Sequence, residues 1–287
     1  MTFSAVDSCP PSADERITAE RHELKYLVVP QGLDALFQEL NRELPPHRFV
    51  GEGANRLPDA HHFVTTIYFD TPSRAHYRAA LANTEANVKV RAKEYYDLHP
   101  ALAELATDPD HIVRYQPWLW FELKRKDGTR TRKRRVRVPK RAVPILFAEG
   151  RIVPDALLGP DLAQKSTDLA GIEEIVAHCR TLDEPLSATC LVNYRRLPWQ
   201  AGDGSLRITV DLGLAFYAPP PDLWTRERAL VRDSLGAPAS VLGDAVIEVK
   251  AQGAIPNWVE RALERAGARP IAFSKFVAAS RAVDGGR

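Results

Sequence analysis

The sequence predicts an α+β protein whose strands enclose a charged interior and have an apolar outside that must be covered. The main observation is a repeated pattern in which charged residues stand two apart, with apolar residues between and beside them. Alternate residues of a β-strand point to the same face, so each such segment predicts a strand with one charged face and one apolar face. The segments that carry the pattern are Glu23–Lys25, Lys89–Arg91, Glu122–Lys124, Arg207–Asp211 and Glu248–Lys250.

The charged faces have two interpretations. A single segment of this kind is more often a strand whose polar face meets solvent. Exposed strand faces are usually poor in Glu, however, and here Glu recurs with Lys or Arg at the same spacing on distant segments. Cations also outnumber anions on these faces, which is destabilising in an enclosed interior unless an anion binds there. A phosphate chain held by Lys and Arg, with a Glu holding Mg²⁺ or Mn²⁺, would satisfy such an interior.

Periodicity and turn signals predict the remaining elements. Residues 1–18 are polar and predict a disordered tail, and residues 19–284 predict a single domain. Residues 97–116 show no clear period and predict an excursion. The predicted strands are Arg21–Val29, Phe63–Asp70, Ala86–Tyr95, the two strands of a hairpin over Trp118–Arg137, Leu191–Pro198, Ser205–Phe216 and Ala245–Ala251. The predicted helices are Pro30–Leu44, Ser73–Asn83, Thr167–Arg180, Asn257–Ala266 and Ser274–Ala282.

The hairpin is the best-defined unit. Asp127 and Gly128 form a strong two-residue turn signal between two β-like runs. A turn centred on them places Lys126 opposite Thr129, which puts Glu122 opposite Lys133. This register sorts the apolar residues onto one face and most charges onto the other, which supports it.

Composition excludes several classes of protein. The net charge is only +2, so any positive field must come from local clustering. No apolar run reaches the ~18 residues that a membrane span needs, and the first residues lack a signal peptide's apolar stretch. The three cysteines fit no zinc spacing and no disulfide framework, so we expect a cytoplasmic protein with reduced thiols. The sequence contains no P-loop, no Rossmann fingerprint and no nucleophile elbow.

Two weaker signals have simpler explanations. The basic run Lys124–Arg141 is typical of nucleic-acid patches, but the hairpin pattern explains most of it, and we expect no nucleic-acid partner. The pair His61 and His62 lacks a third residue at metal-ligand spacing. Ser274 and Lys275 open a helix, where backbone N–H groups favour an anion, although a plain helix cap is an equal alternative.

The motifs, taken in order, resemble the catalytic domain of the vacuolar transporter chaperone (VTC) family, the polyphosphate polymerases among the triphosphate tunnel metalloenzymes. The resemblance runs from about Glu20 to about Val283. One Glu-Xaa-Lys motif means little, but eight motifs in the family's order are specific. They are Arg21–Tyr26, Thr66–Pro72, Lys89–Arg91, Phe121–Lys124, Tyr194–Arg196, Leu206–Asp211, Ile247–Lys250 and Ser274–Phe276.

The resemblance implies an eight-stranded antiparallel β-barrel tunnel with helices packed outside. It implies that the terminal phosphoryl group of ATP passes to a growing polyphosphate chain, with Mn²⁺ or Mg²⁺ as cofactor. The family's basic phosphate-binding residues correspond here to Lys25, Lys89, Arg91, Lys124, Arg196, Arg207, Lys250 and Lys275. Its polar phosphate contacts correspond to Tyr194 and Ser274, and its metal-binding carboxylate corresponds to Glu248. The other residues expected to line the tunnel are Arg21, Lys133 and Arg135, with Glu23 and Glu122 assisting the metal.

The sequence departs from the family in some respects. Lys89 stands where the family often has Arg, which keeps the charge and loses bidentate geometry. No inositol-phosphate-sensing domain or membrane span accompanies the tunnel, so we expect any regulation or translocation to depend on other proteins. The alternatives are a metal-dependent triphosphate hydrolase of the same fold and a non-catalytic sensor of polyphosphate or inositol phosphates. A cation-rich lining with few carboxylates favours polymer handling over hydrolysis.

Overall fold

The structure is a computed structural model that describes most of the predicted domain. The described residues are 21–46, 62–82, 86–96, 118–128, 130–149, 162–226 and 229–285. The predicted tail, residues 1–18, and the predicted excursion, residues 97–116, lie outside the described residues. Within the described part, no helix is long and apolar enough to cross a membrane.

The described residues form one ten-stranded antiparallel sheet. It contains all the predicted strands, and two short strands, β8 and β10, are additional. The strands are β1 (Arg21–Val28), β2 (His62–Asp70), β3 (Ala86–Tyr96), β4 (Trp118–Asp127), β5 (Arg130–Pro139), β6 (Ser187–Gln200), β7 (Leu206–Tyr217), β8 (Ser240–Leu242), β9 (Ala245–Gln252) and β10 (Arg269–Pro270).

The sheet is curled around its charged face. Its strand order is β10-β1-β9-β7-β6-β2-β3-β4-β5, with β8 paired to β7. Between the described residues of β1 and β5 no pairing closes the ring, so the expected barrel is here a strongly curled open sheet. Residues 273–274 contact strands from both ends of the sheet. Lys25 of β1 donates to the Phe273 carbonyl (3.0 Å), and Lys89 of β3 contacts the Ser274 hydroxyl (3.2 Å). The tunnel fold predicted from the sequence is therefore confirmed.

The hairpin of β4 and β5 has a different register from the predicted one. Asp127 pairs with Arg130 and Glu122 pairs with Arg135, so every partner is shifted by two residues. Gly128 has φ +56°, which suits the first central position of the tight turn. The turn therefore begins one residue later than predicted. A shift of two residues leaves each side chain on its predicted face, so the charged and apolar faces are correct.

Helices cover the outer, apolar face of this sheet. The described helices are α1 (Leu33–Glu43), α2 (Ala75–Ala82), α3 (Val143–Glu149), α4 (Leu162–Cys179), α5 (Asn257–Arg265) and α6 (Lys275–Gly285). Four of them, α1 and α3–α5, pack on the outer face. Buried Ile172 and Ile175 of α4 contact the β3–β5 side, and buried Leu36 and Leu40 of α1 contact the β1, β7 and β9 side.

Helix α6 differs from the expectation that the helices lie outside. Its buried Phe276, Ala279 and Val283 pack against Tyr68 and Val246, which lie on the same strand faces as the charged residues. Part of the inner face is thus apolar and covered by α6, and only the remainder is the charged tunnel. The sequence pattern missed this because it was read from the charged segments alone.

Replacing Phe276 by Ala tests how much the packing of α6 on the inner face contributes to the stability of the protein. Phe276 is 1% exposed and its ring lies 5.1 Å from that of Tyr68. We expect the Phe276→Ala variant to lose about 3–5 kcal/mol of unfolding free energy in denaturant titrations. Leu81→Ala is the control, since Leu81 is 45% exposed and should change stability by less than about 0.5 kcal/mol. Equal stability of the two variants would show that α6 is not part of the cooperative core.

Candidate active site: a cationic tunnel

The inner face collects the basic side chains of strands that are distant in the chain. Strand registers place Lys89 beside Lys124, Lys124 beside Lys133, and Arg207 beside Lys250. The cations on this face outnumber its carboxylates, as the sequence predicts. The basic residues are Lys25, Lys89, Arg91, Lys93, Lys124, Lys133, Arg135, Arg196, Arg207, Lys250 and Lys275. The carboxylates are Glu23, Glu122, Asp211 and Glu248. Arg21, also predicted for this site, stands opposite Gln252 at the start of β1.

Glu122 forms the first of three charge centres. Its side chain is 1% exposed, and Arg91 donates from Nε to its Oε2 at 2.7 Å. Arg135 lies 3.5 Å from Oε1 and Lys93 lies 3.9 Å from Oε2. Burial alone would raise the pKa of Glu122, but Arg91 and the other cations hold it well below its usual range. Glu122 therefore remains ionised and serves to hold the arginines in place.

Asp211 forms the second centre, and the sequence prediction did not include it among the site residues. It is fully buried and accepts a bidentate pair from Arg196, at 2.6 Å to Nε and 2.7 Å to Nη2. Lys275, at the start of α6, contacts the same carboxylate at 2.6 Å. Lys275 and Arg196 also lie 5.0 Å and 5.3 Å from the Tyr194 ring. Asp211 thus fixes two predicted phosphate-binding cations and ties α6 to the sheet.

Glu23 and Glu248 form the third centre, on neighbouring strands. Both carboxylates approach the same ammonium: Lys250 Nζ lies 2.6 Å from Glu248 Oε1 and 3.7 Å from Glu23 Oε2. Lys25 lies 3.2 Å from the other oxygen of Glu23. Burial would raise the pKa of Glu248, but Lys250 and nearby cations keep it well below its usual range. A cation therefore already lies where these two carboxylates converge.

The third centre fits a divalent metal better than the first. Mg²⁺ is commonly bound by one or two carboxylates together with substrate phosphates, so Glu23 and Glu248 form a suitable donor set. No group of three or more His, Cys, Asp and Glu side chains suited to a metal occurs in the described residues. Glu122 is enclosed by Arg91, Arg135 and Lys93, so the geometry offers little support for the metal role predicted for it.

Burial lowers the pKa of several lysines in the tunnel. Burial, with the neighbouring Lys124 and Lys25, lowers the pKa of Lys89 to about 7. Burial likewise lowers the pKa of Lys124 to about 8, although Glu23 opposes the shift. Burial and Arg91 lower the pKa of Lys93 as well. A bound anion would restore the charge on these lysines.

The sequence prediction did not assign Asp211 or Lys93 to the site. Lys93 continues the alternation of Lys89 and Arg91 on β3, so extending the period-two pattern by one step would have found it. Asp211 already belongs to the charged segment Arg207–Asp211, but its role could not be assigned without its partners. The sequence alone does not show which residues contact these two side chains. Arg196, for example, reaches Asp211 only through the β6–β7 pairing.

The basic run 124–141 does not form one continuous surface. Lys133 and Arg135 face the tunnel, whereas Arg134 reaches Glu174 of α4 on the outer side at 2.8 Å. Lys140 is buried and lies 2.9 Å from Glu94. The run is therefore divided between opposite faces of the sheet.

Fold and site together define a tunnel protein with a cation-rich inner face. The chain belongs to the VTC domain family, whose profile matches residues 20–283. No curated protein matches the chain significantly.

Solved structures with a similar chain path share little sequence with this protein. A Bacillus halodurans protein described as a candidate adenylate cyclase is 11% identical, covers 90% of this chain and 97% of its own, and has a TM-score of 0.43. The HpAC1 protein from Hippeastrum, described as having a dominant triphosphatase activity, is 12% identical, with 90% and 93% coverage and a TM-score of 0.44. The PH1819 protein from Pyrococcus horikoshii is 12% identical, with 90% and 94% coverage and a TM-score of 0.39.

Anion binding to the tunnel should take up protons. Because a polyanion raises the lowered pKa values of Lys89 and Lys124, we expect tripolyphosphate binding to weaken as the pH rises from 7 to 9. Calorimetry at pH 7.5 in buffers of different ionisation enthalpy should show net proton uptake. Lys89→Arg should reduce that uptake, since Arg stays charged throughout. Equal proton uptake by the wild type and Lys89→Arg would show that Lys89 does not face the anion, since the ligand's own protons contribute equally to both.

Removing the charge of Asp211 should destabilise the protein. We expect Asp211→Asn to cost about 3–5 kcal/mol of unfolding free energy, because Arg196 and Lys275 lose their buried counter-charge. Tripolyphosphate should recover part of the loss. Asp233→Asn, at an exposed position, is the matched control. An Asp211→Asn variant as stable as this control would mean that Asp211 does not hold the two cations.

Proposed function

We propose that this protein is a polyphosphate polymerase that transfers the γ-phosphoryl group of ATP to a growing polyphosphate chain inside the tunnel. The proposal rests on one observation: the inner face is rich in Lys and Arg, and each of its described carboxylates contacts a basic side chain. A face of this kind suits a polyanion of repeating phosphates, because Lys and Arg give charge-assisted hydrogen bonds to the phosphate oxygens.

In this proposal the tunnel positions phosphates and neutralises their charge. An oxygen of the chain's terminal phosphate forms a bond to the γ-phosphorus while the bond to the β–γ bridging oxygen breaks, and ADP leaves. Phosphoryl transfer has a loose transition state, so positioning and charge stabilisation supply most of the catalysis. Arg91 and Arg196 are pre-oriented by Glu122 and Asp211, and they would bind the phosphates without reorganising.

We assign the divalent metal, Mg²⁺ or Mn²⁺, to Glu248 and Glu23. These two carboxylates would hold the metal, which would supply positive charge that stabilises the transferred group. Lys250, which contacts both carboxylates, is also close enough to this centre to bind phosphate. No protein nucleophile or strong general base is required, since the attacking phosphate oxygen is already ionised.

The main alternative is a triphosphate hydrolase of the same fold. Hydrolysis needs a group that orients or deprotonates water, and a carboxylate with an open lone pair is the usual choice. Among the described tunnel residues, Glu122, Asp211 and Glu248 each contact a cation within 2.8 Å, and Glu23 lies 3.2 Å from Lys25. This arrangement supports phosphate over water as the acceptor.

We place the reaction in the cytoplasm. ATP is abundant there, and Cys179 and Cys190 are free thiols in the structure. ATP and polyphosphate are the proposed partners, and the split basic run gives no support for a nucleic-acid partner.

Incubation with ATP and Mn²⁺ tests the proposal. We expect a ladder of long polyphosphate on a gel, with ADP released in step with chain growth. Glu248→Gln should reduce turnover at least about 100-fold, because the metal would lose its main carboxylate. Glu260→Gln, at an exposed position on α5, is the matched control and should retain the wild-type rate.

The products separate the alternatives. Release of free phosphate without polymer would contradict the polymerase and support a triphosphate hydrolase. Tight polyphosphate binding without turnover of any triphosphate would contradict both enzymes and support a non-catalytic sensor.

A further inference from the structure

The charged inner face ends in a cluster of aromatic and guanidinium groups on β3–β5. We call this cluster the aromatic rim, and it consists of Tyr95, Trp118, Trp120, Arg135 and Arg137. The two indoles meet edge to face, with ring centroids 5.6 Å apart and an interplanar angle of 86°. The Arg137 guanidinium lies 5.7 Å from one indole and 5.8 Å from the other.

Arg135 connects the aromatic rim to the phosphate-binding centre. Its guanidinium lies 3.8 Å from the Trp120 ring and 5.3 Å from the Tyr95 ring. The Nε atom of the same side chain lies 3.5 Å from Glu122. Trp120 and Glu122 are two residues apart on β4, so they share a face and stand about 7 Å apart along the strand. The rim therefore directly adjoins the arginines that surround Glu122.

The two indoles are not ordinary core residues. On β4 the outer positions, Leu119 and Phe121, are fully buried in the sheet–helix core. Trp118 and Trp120 point to the opposite, charged face and are only half-buried. Large, partly exposed aromatic rings beside guanidinium groups, at the edge of a hydrophilic tunnel, are suited to a flat ligand with a π face.

A nucleobase matches both parts of this chemistry. Bases stack on aromatic rings and on guanidinium planes, and each stacked base contributes about 1–3 kcal/mol to binding. A nucleotide whose phosphates contact the arginines around Glu122 would carry its base toward the neighbouring strand positions, which hold Trp120 and Trp118. A polyphosphate chain has no π face and would gain nothing from these rings.

We propose that the aromatic rim is the nucleobase subsite of this tunnel, where the base of a nucleoside triphosphate stacks on Trp118 or Trp120 beside Arg137. This inference rests on the proposed function to the extent that it places the nucleotide's phosphates in the tunnel. It also gives the tunnel a direction, since the nucleotide enters at the rim and the phosphate chain occupies the end beyond Glu122. The rim would distinguish a nucleotide donor from a bare phosphate chain of similar charge.

Comparison of ATP with inorganic tripolyphosphate tests the rim by binding alone. In Trp118→Leu and in Arg137→Gln, we expect the Kd for ATP, measured by calorimetry, to rise about tenfold. The Kd for tripolyphosphate should change less than twofold, which also reports that each variant is folded. In the wild type, ATP should quench tryptophan fluorescence and tripolyphosphate should not.

Trp258→Leu is the control, because Trp258 lies on α5 at the outer face. It should leave both dissociation constants unchanged. An equal loss of affinity for the two ligands in the rim variants, or no loss for either, would overturn the inference. Equal quenching of the wild type by both ligands would do so as well. Since these measurements need no turnover, an ATP-specific loss would support the subsite even if no polymer is made.

Discussion

The accumulation of like charges in an enclosed space is the constraint on which this structure depends. Burying several lysines and arginines together is unfavourable, because each loses hydration and repels the others. Three carboxylate centres, at Glu122, at Asp211 and at Glu23 with Glu248, offset part of this cost. The remaining excess of cations is not neutralised by carboxylates of the described residues. The proposed polyanion ligand would neutralise it.

Packing elsewhere in the fold stabilises the charged inner face against repulsion between its cations. On the outer face, α1, α3, α4 and α5 pack against the strands in two apolar cores. Helix α6 covers the apolar part of the inner face, and its first turn reaches the charged part through Lys275. Lysine and arginine differ in how burial in the tunnel affects their charge. Lys89 and Lys124 lose charge readily on burial, whereas Arg91 and Arg196 stay charged and hold their carboxylates.

The sequence predicted the strands and the faces of the site residues well, because period-two alternation is a local property. It could not predict partners, because these depend on pairing between distant strands. The hairpin shows the difference: a turn that begins one residue later changed the partner of Glu122 from Lys133 to Arg135 without changing its face. Asp211 was overlooked because only the β6–β7 pairing brings Arg196 to it, and that pairing is irregular between Asn193 and Arg195. The aromatic rim was overlooked because the period-two pattern was read from the charged residues alone, and Trp118 and Trp120 are uncharged.

A crystal structure grown with Mn²⁺ and tripolyphosphate tests the central claim most directly. The account predicts phosphates along the inner face, within hydrogen-bonding distance of Lys89, Arg91 and Arg196, and an anomalous manganese signal beside Glu248. Phosphates bound on the outer face, with the inner face occupied by solvent alone, would contradict it.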